Sequence, residues 1–190
     1  AAIFATHEAV KQPNLILLEQ NLKNRKLSGN IQEYYKAIWD EAKSRISSIP
    51  FIDYKIAGAF AFFNEPITAE KLHNIYAKES VSISIWENVL KALSPLLEEH
   101  DGKYVILHND VRVYLSGVIG LDTDHVKEIY GNLVDYYLKL EQKSRAYYYD
   151  IFRFLKGAGR EDEFEKVYSA DFIIEAYVNG VETSELRELS

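Results

Sequence analysis

His108 is the side chain best placed for chemistry in this sequence. It stands in Leu107-His108-Asn109-Asp110-Val111-Arg112-Val113-Tyr114-Leu115, where the apolar run Tyr104-Val105-Ile106-Leu107 gives way to helical spacing. An imidazole at such a junction can offer a ring N–H to a phosphate or carboxylate of a partner, or can end a strand and satisfy local backbone groups. Arg112, one turn later, either faces the same partner or solvates its helix, and the second is the expectation. His7, His73, His100 and His125 are scattered and lack the spacing of zinc ligands on one element, so no metal site is expected. Glu161, Asp162, Glu163 and Glu165 crowd the start of a helix, where they complement its dipole more naturally than they form an acid/base pair. Gly157-Ala158-Gly159 follows a helix rather than a strand, and no Gly-x-x-x-x-Gly-Lys-Ser/Thr loop occurs, which excludes the usual P-loop route to nucleotide hydrolysis. No catalytic residue is assigned, and the chain is expected to be non-enzymatic.

The elements that must position these side chains belong to an ordinary folded interior. With 190 residues, 47% hydrophobic and 27% charged, the chain has material for one large or two small domains. Its net charge of −7 opposes binding to a polyanion unless the basic residues gather on one face, and they do not obviously do so. Cysteine is absent, which removes disulfides and thiolate metal sites and suits a reducing compartment. No apolar run reaches the roughly 18 residues of a membrane span and no signal peptide opens the chain, so the expected location is the cytoplasm. Methionine is absent even at position 1. An internal piece of a longer polypeptide, or a sequence lacking its modified methionines, would account for that.

Residues 1–27 carry two helices or one helix interrupted at Pro13. A turn at Lys26 to Asn30 follows, with Asn30 and Glu33 in capping-box positions, and then an aromatic-rich helix through Tyr34, Tyr35, Ile38, Trp39, Ala42 and Ile46. Phe51 to Phe63 reads as an almost wholly apolar, central helix. Thr68 can cap a helix from Ala69 to Tyr76, and a third helix runs from about Ser82 to Leu93 before Pro95 forces an exit. Two strands joined at Asp101-Gly102 come next. Helices followed by such a hairpin make a winged-helix arrangement. The expected fold is therefore mainly α: a winged-helix module with a small β-hairpin wing over 49–117, a helical segment over 1–48, and a helical bundle over 118–190. In the last stretch a helix opens at Thr123 or Asp124 and runs to Leu140, and another runs from Ser144 to a stop at Gly157 and Gly159. A helix pair or one kinked helix covers Glu161 to Tyr177. Tyr147, Tyr148 and Tyr149 are read as inter-helix packing rather than a base-stacking platform.

A winged helix raises DNA binding, with the third helix in the major groove. The polar positions of that helix, Ser82, Ser84, Glu87, Asn88, Lys91 and Ser94, supply one cation and one anion, and the wing carries Glu98, Glu99 and Asp101 against Lys103. Phosphate contacts demand several Lys or Arg, so nucleic acid is an unlikely partner.

Several segments, in this order, carry a resemblance: Gly29-Asn-Ile-Gln-Glu-Tyr34-Tyr35-Lys-Ala-Ile-Trp39, Pro66-Ile-Thr68-Ala-Glu-Lys-Leu72, Leu93-Ser-Pro-Leu-Leu97 and Leu107-His108-Asn109-Asp110-Val-Arg112-Val-Tyr114-Leu115. Over residues 14–116 the chain resembles the region that follows the nucleotide-binding core in NACHT-like and related STAND signal-transduction ATPases. The resemblance implies that the winged helix packs on that core in an ADP-bound resting state, with His108 as the nucleotide-phosphate sensor. Asn109 stands where the related motif has Asp, which leaves a capping amide but removes a charge that would orient the imidazole. No cofactor is expected in this stretch, and ADP or ATP is expected in the full-length parent. The partners implied are the parent's own nucleotide-binding domain and sensor domain, with a homo-oligomer assembled mainly through the core. Phe154 to Phe164 is similar to the turn of tetratricopeptide-like (TPR-like) repeats, so helical hairpins of that kind are expected at the C-terminal end.

The resulting reading is a regulatory adaptor segment, coupling a nucleotide switch to a sensor and presenting an exposed apolar patch where the core docks. The alternatives are a winged-helix transcription regulator with a helical dimerisation tail, which a continuous basic face would favour, and an interaction scaffold with no nucleotide link.

Overall fold

The computed structural model describes residues 31–45, 52–120 and 123–182. The helices expected within 1–27, the turn and cap at Lys26 to Asn30, His7 and the last eight residues lie outside them. The described chain is mainly helical with one small two-stranded antiparallel sheet. In order come α1 (Ile31–Arg45), α2 (Ile52–Phe62), α3 (Ala69–Ile75), α4 (Ile83–Ala92), β1 (Leu97–His100), β2 (Lys103–Ile106), α5 (Asn109–Ile119), α6 (Thr123–Lys139), α7 (Arg145–Ala158), α8 (Phe164–Val167) and α9 (Ala170–Val178).

Local chemistry sets most of these boundaries. Thr68 is extended and its hydroxyl accepts from the Lys71 N–H at 3.1 Å, which opens α3. Thr68→Ala is expected to lower stability by about 1 kcal/mol, read from urea unfolding. Pro95 lies in the short 3-10 turn Ser94–Leu96 that ends the α4 segment and swings the chain into β1. The hairpin turns at Asp101 and Gly102, with φ of 51° and 73°, the paired left-handed residues that match the twist of a two-residue loop. The pairing sets Leu97 opposite Ile106 and Glu99 opposite Tyr104. Ile67 adds a further rung, exchanging two 2.8 Å backbone bonds with Tyr104.

The buried residues form one cluster that runs from Tyr34 to Val181. α2 is the centre of it, packed on α5 and on α6. Gly58 makes the second contact possible: a Cβ there would lie 2.5 Å from Ile129 Cδ1, so only a bare backbone lets α2 and α6 approach this closely. α6 in turn packs along α7, and rings interlock across the joint, with Tyr137 stacked on Phe154 at 5.5 Å. α7 ends after Ala158, one residue beyond Gly157: Gly159 takes φ 70°, and the Arg160 N–H reaches the Leu155 carbonyl at 2.9 Å.

The stretch after Arg160 is a helix pair with a short first member rather than one kinked helix. A 3-10 turn at Glu161–Glu163 leads into the four-residue α8, and Ser169 then caps a separate α9 by accepting from the Phe172 N–H at 3.2 Å. Phe172 and Ala176 point inward, whereas Ile174, Tyr177 and Val178 are 61%, 70% and 77% exposed, so α9 shows solvent an apolar face.

Candidate functional site at the hairpin exit

β2 delivers the chain to His108 through Leu107, whose N–H bonds the Leu96 carbonyl at 3.2 Å. His108 is extended (φ −152°, ψ 145°) and caps α5 itself: its ring Nδ1 accepts from the Asp110 N–H at 3.2 Å. Asn109, expected to cap, is instead the first helical residue. The correction has a chemical consequence. With Nδ1 occupied as an acceptor, the neutral ring carries its proton on Nε2, so the outward-facing chemistry of the imidazole is that of a single N–H donor. The side chain is half exposed, and an Asp110 carboxylate oxygen sits 3.4 Å from Nδ1. That carboxylate pairs with the ring only when Nδ1 is protonated, the state in which Nδ1 no longer accepts the Asp110 N–H.

Arg112 does not merely solvate its helix. Its Nη1 donates to the Ala61 carbonyl at 3.2 Å and to Asn64 Oδ1 at 2.9 Å, closing the end of α2. Arg153 does the same from the other side, donating to the Phe62 carbonyl and to Asp150, both at 2.8 Å. Two guanidinium groups from distant helices therefore satisfy carbonyls at the C-terminus of α2, where a cation is favoured. Between them, Asn64 Nδ2 donates to both oxygens of the buried Asp150 at 3.1 Å. The neighbouring Glu65 accepts a hydrogen bond from the Ser144 hydroxyl at the start of α7 and pairs with Lys71 at 2.6 Å.

A second polar cluster lies at the other end of α2. Lys55 is buried, with its side chain 3% exposed, and pairs with Glu79 and with Glu128, the latter at 2.8 Å. Its ammonium also lies 5.7 Å and 5.9 Å from the ring centres of Tyr54 and Tyr76. Burial alone would lower its pKa, but hydrogen bonds to Glu128 and Glu79 outweigh that and raise it. Burial likewise opposes ionisation of Glu128, and the bonds from Lys55 and Tyr54 hold its carboxyl below the ordinary range. His125 stacks on Tyr54 at 3.9 Å beside this group.

The remaining histidines have local roles: His73 Nδ1 bonds the Val81 carbonyl at 2.8 Å, and His100 pairs with Glu98 at 2.9 Å. Among the described residues no His, Asp and Glu gather as a metal-binding group. Of the carboxylates at 161–165, Glu163 is gripped by Arg160, whose Nε and Nη2 donate at 2.7 and 3.0 Å while Nη1 reaches Asp135. Tyr147 and Tyr148 pack against Phe172 of α9, and Tyr148 donates to Glu175 at 3.1 Å, so these rings join helices. On α4 the exposed positions are Ile83, Ser84, Glu87, Asn88 and Lys91, and β1 exposes Glu98 and Glu99. That face offers phosphate groups one cation against several carboxylates.

Lys55 and Asp150 were within reach of the sequence, since each is a lone charge on an apolar helical face. Arg153 stands three residues from Asp150, but Glu79, Glu128 and Asn64 lie 24 to 86 residues from the charges they meet, and no local spacing announces them. No helix among the described residues is long and apolar enough to cross a membrane. Comparison with protein-family models, with curated proteins and with solved structures finds no match.

Proposed function

We propose that this chain is a regulatory adaptor segment of a STAND-type signalling ATPase, in which residues 49–117 act as a winged helix and His108 contacts a phosphate of a nucleotide held by a separate core. The observation that carries the reading is the state of His108: a half-exposed imidazole at a helix N-terminus whose Nδ1 is occupied by the Asp110 N–H, leaving Nε2–H as the donor. The order of α2, α3, α4 and the hairpin, with the Ile67 to Tyr104 bridge as a third extended rung, supports the winged-helix assignment. Two exposed apolar features suit docking of neighbouring domains. Val113 is 59% exposed on the outer side of α5, and Ile174, Tyr177 and Val178 give α9 an open face on which a following TPR-like hairpin would stack. Release of the core would then be a two-state shift driven by whatever the sensor binds.

The test uses the intact polypeptide purified from cells, assayed for ADP or ATP released on denaturation. The expected result is bound nucleotide, with ADP affinity reduced about 10- to 100-fold by His108→Ala, the worth of one hydrogen bond to a charged group. His108→Asn keeps a helix cap and separates lost phosphate contact from lost capping. Absence of nucleotide, or unchanged affinity in both variants, overturns the reading. The electrostatics of α4 and the hairpin favour neither DNA recognition nor any other polyanion.

A further inference from the structure

A groove of about 470 Å³ opens between the start of α3, the outer face of α4 and the tip of the hairpin. Its exposed apolar surface is mainly that of Ile83, 42% exposed, with the buried Leu90 and Tyr104 lining it beneath. Glu70 and Glu87 stand on its rim, both exposed and neither in an ion pair among the described residues, and Lys91 is the one cation lining it. Glu99 adds negative charge from β1, opposite Tyr104 in the hairpin register. Burial, then Glu99 and Glu87, raise the pKa of the Tyr104 hydroxyl, which reports the same negative field from inside the groove.

We infer that this groove docks a protein segment presenting a Lys or Arg side chain flanked by an aliphatic one. The volume suits one or two side chains rather than a helix or a duplex. An aliphatic side chain, or the methylene stem of a basic one, covers Ile83 and the Tyr104 ring, while the cation reaches Glu70 and Glu87 at the rim. Both carboxylates are exposed and outside any ion pair among the described residues, so at the rim they can accept that partner while keeping part of their water. A nucleic-acid backbone meets the opposite field, and an acidic segment is repelled by everything on the rim except Lys91. The inference does not depend on His108 or on a nucleotide, because the groove lies on α3, α4 and the hairpin tip.

The experiment titrates the 190-residue chain, at 50 mM salt, with the acetylated peptide amide Ile-Arg-Leu-Lys-Ile and with a control in which Arg and Lys are replaced by Glu. Saturable binding of the basic peptide alone is expected. The double variant Glu70→Gln/Glu87→Gln should weaken it about tenfold, from two partly exposed ion pairs. Ile83→Ser should weaken it as well. Lys91→Glu should tighten it, a gain that a merely damaged fold cannot produce. Binding that is unchanged in all these variants reflects only the chain's net negative charge and overturns the proposal. So does equal binding of the acidic control, failure of the basic peptide to bind, or a preference for duplex DNA.

Discussion

Replacing both Glu79 and Glu128 by glutamine is expected to lower stability by about 3–5 kcal/mol, whereas Lys55→Met costs distinctly less. The asymmetry follows from burial. The Lys55 side chain is 3% exposed, against 21% for Glu79 and 42% for Glu128. Removing the carboxylates takes two counter-charges from an ammonium buried beside the Tyr54 and Tyr76 rings. Removing the ammonium leaves two carboxylates already partly in water and a methionine that fills the vacated volume. The same cluster sets a pH dependence. Because the folded state holds the Glu128 carboxyl below its unfolded value, the stabilisation is complete above the ordinary glutamate range, near pH 4.3, and is lost as pH falls through the lowered folded value. Asp135, held down by Arg160 and Lys78 against the effect of burial, acts in the same direction. Urea unfolding of the two variants at pH 7, and of the parent across pH 3–6, reads both effects. Equal or greater loss in Lys55→Met would mean that burial does not set the asymmetry.

Trp86→Ala is expected to cost about 3–5 kcal/mol and Trp86→Phe about 1 kcal/mol. Trp86 is fully buried and stacks on Tyr76 at 5.7 Å, tying α4 to the end of α3. Alanine leaves an indole-sized hole beneath a ten-residue helix whose other fully buried side chains are Val89 and Leu90. Phenylalanine loses less area and also removes the indole N–H, which is buried without a hydrogen-bond partner among the described residues. That relief offsets part of the cavity. Thermal unfolding followed by near-ultraviolet circular dichroism measures both, and a phenylalanine variant as unstable as the alanine one would show that the unpaired N–H carries no penalty.

Local sequence rules located the elements well where local chemistry fixes them. Thr68 as a cap, the Asp101-Gly102 turn, Pro95 as an exit and Ser144 as the start of α7 all act within four residues of themselves, and all were readable. The extent of α2 and α4 came from apolar spacing. Most of what stayed hidden has one physical origin, namely pairing across long stretches of chain. Arg112 was assigned to solvent because its own helix gives no reason for it to bond Ala61 and Asn64, 51 and 48 residues earlier. Nothing local marks Asn64 and Glu65 either, because neither Asp150 nor Ser144 can be associated with them by spacing. At His108 the error was of a different kind: two polar residues compete for one cap, and the imidazole wins by accepting the Asp110 N–H.

The two residues Asn64 and Glu65 have a bearing on inheritance. Because they hold Arg112 of α5 on one side and Asp150 and Ser144 of α7 on the other, and because Ile129 leaves no room for a Cβ at position 58, exchange of the stretch before position 120 or of the stretch after it alone is expected to lose these contacts. A recombination that brought in a foreign α6 and α7 would have to bring a glycine and an Asn-Glu pair for the host helix as well. Sequence change at the joint between the hairpin region and the helices that follow is therefore expected to occur in matched sets.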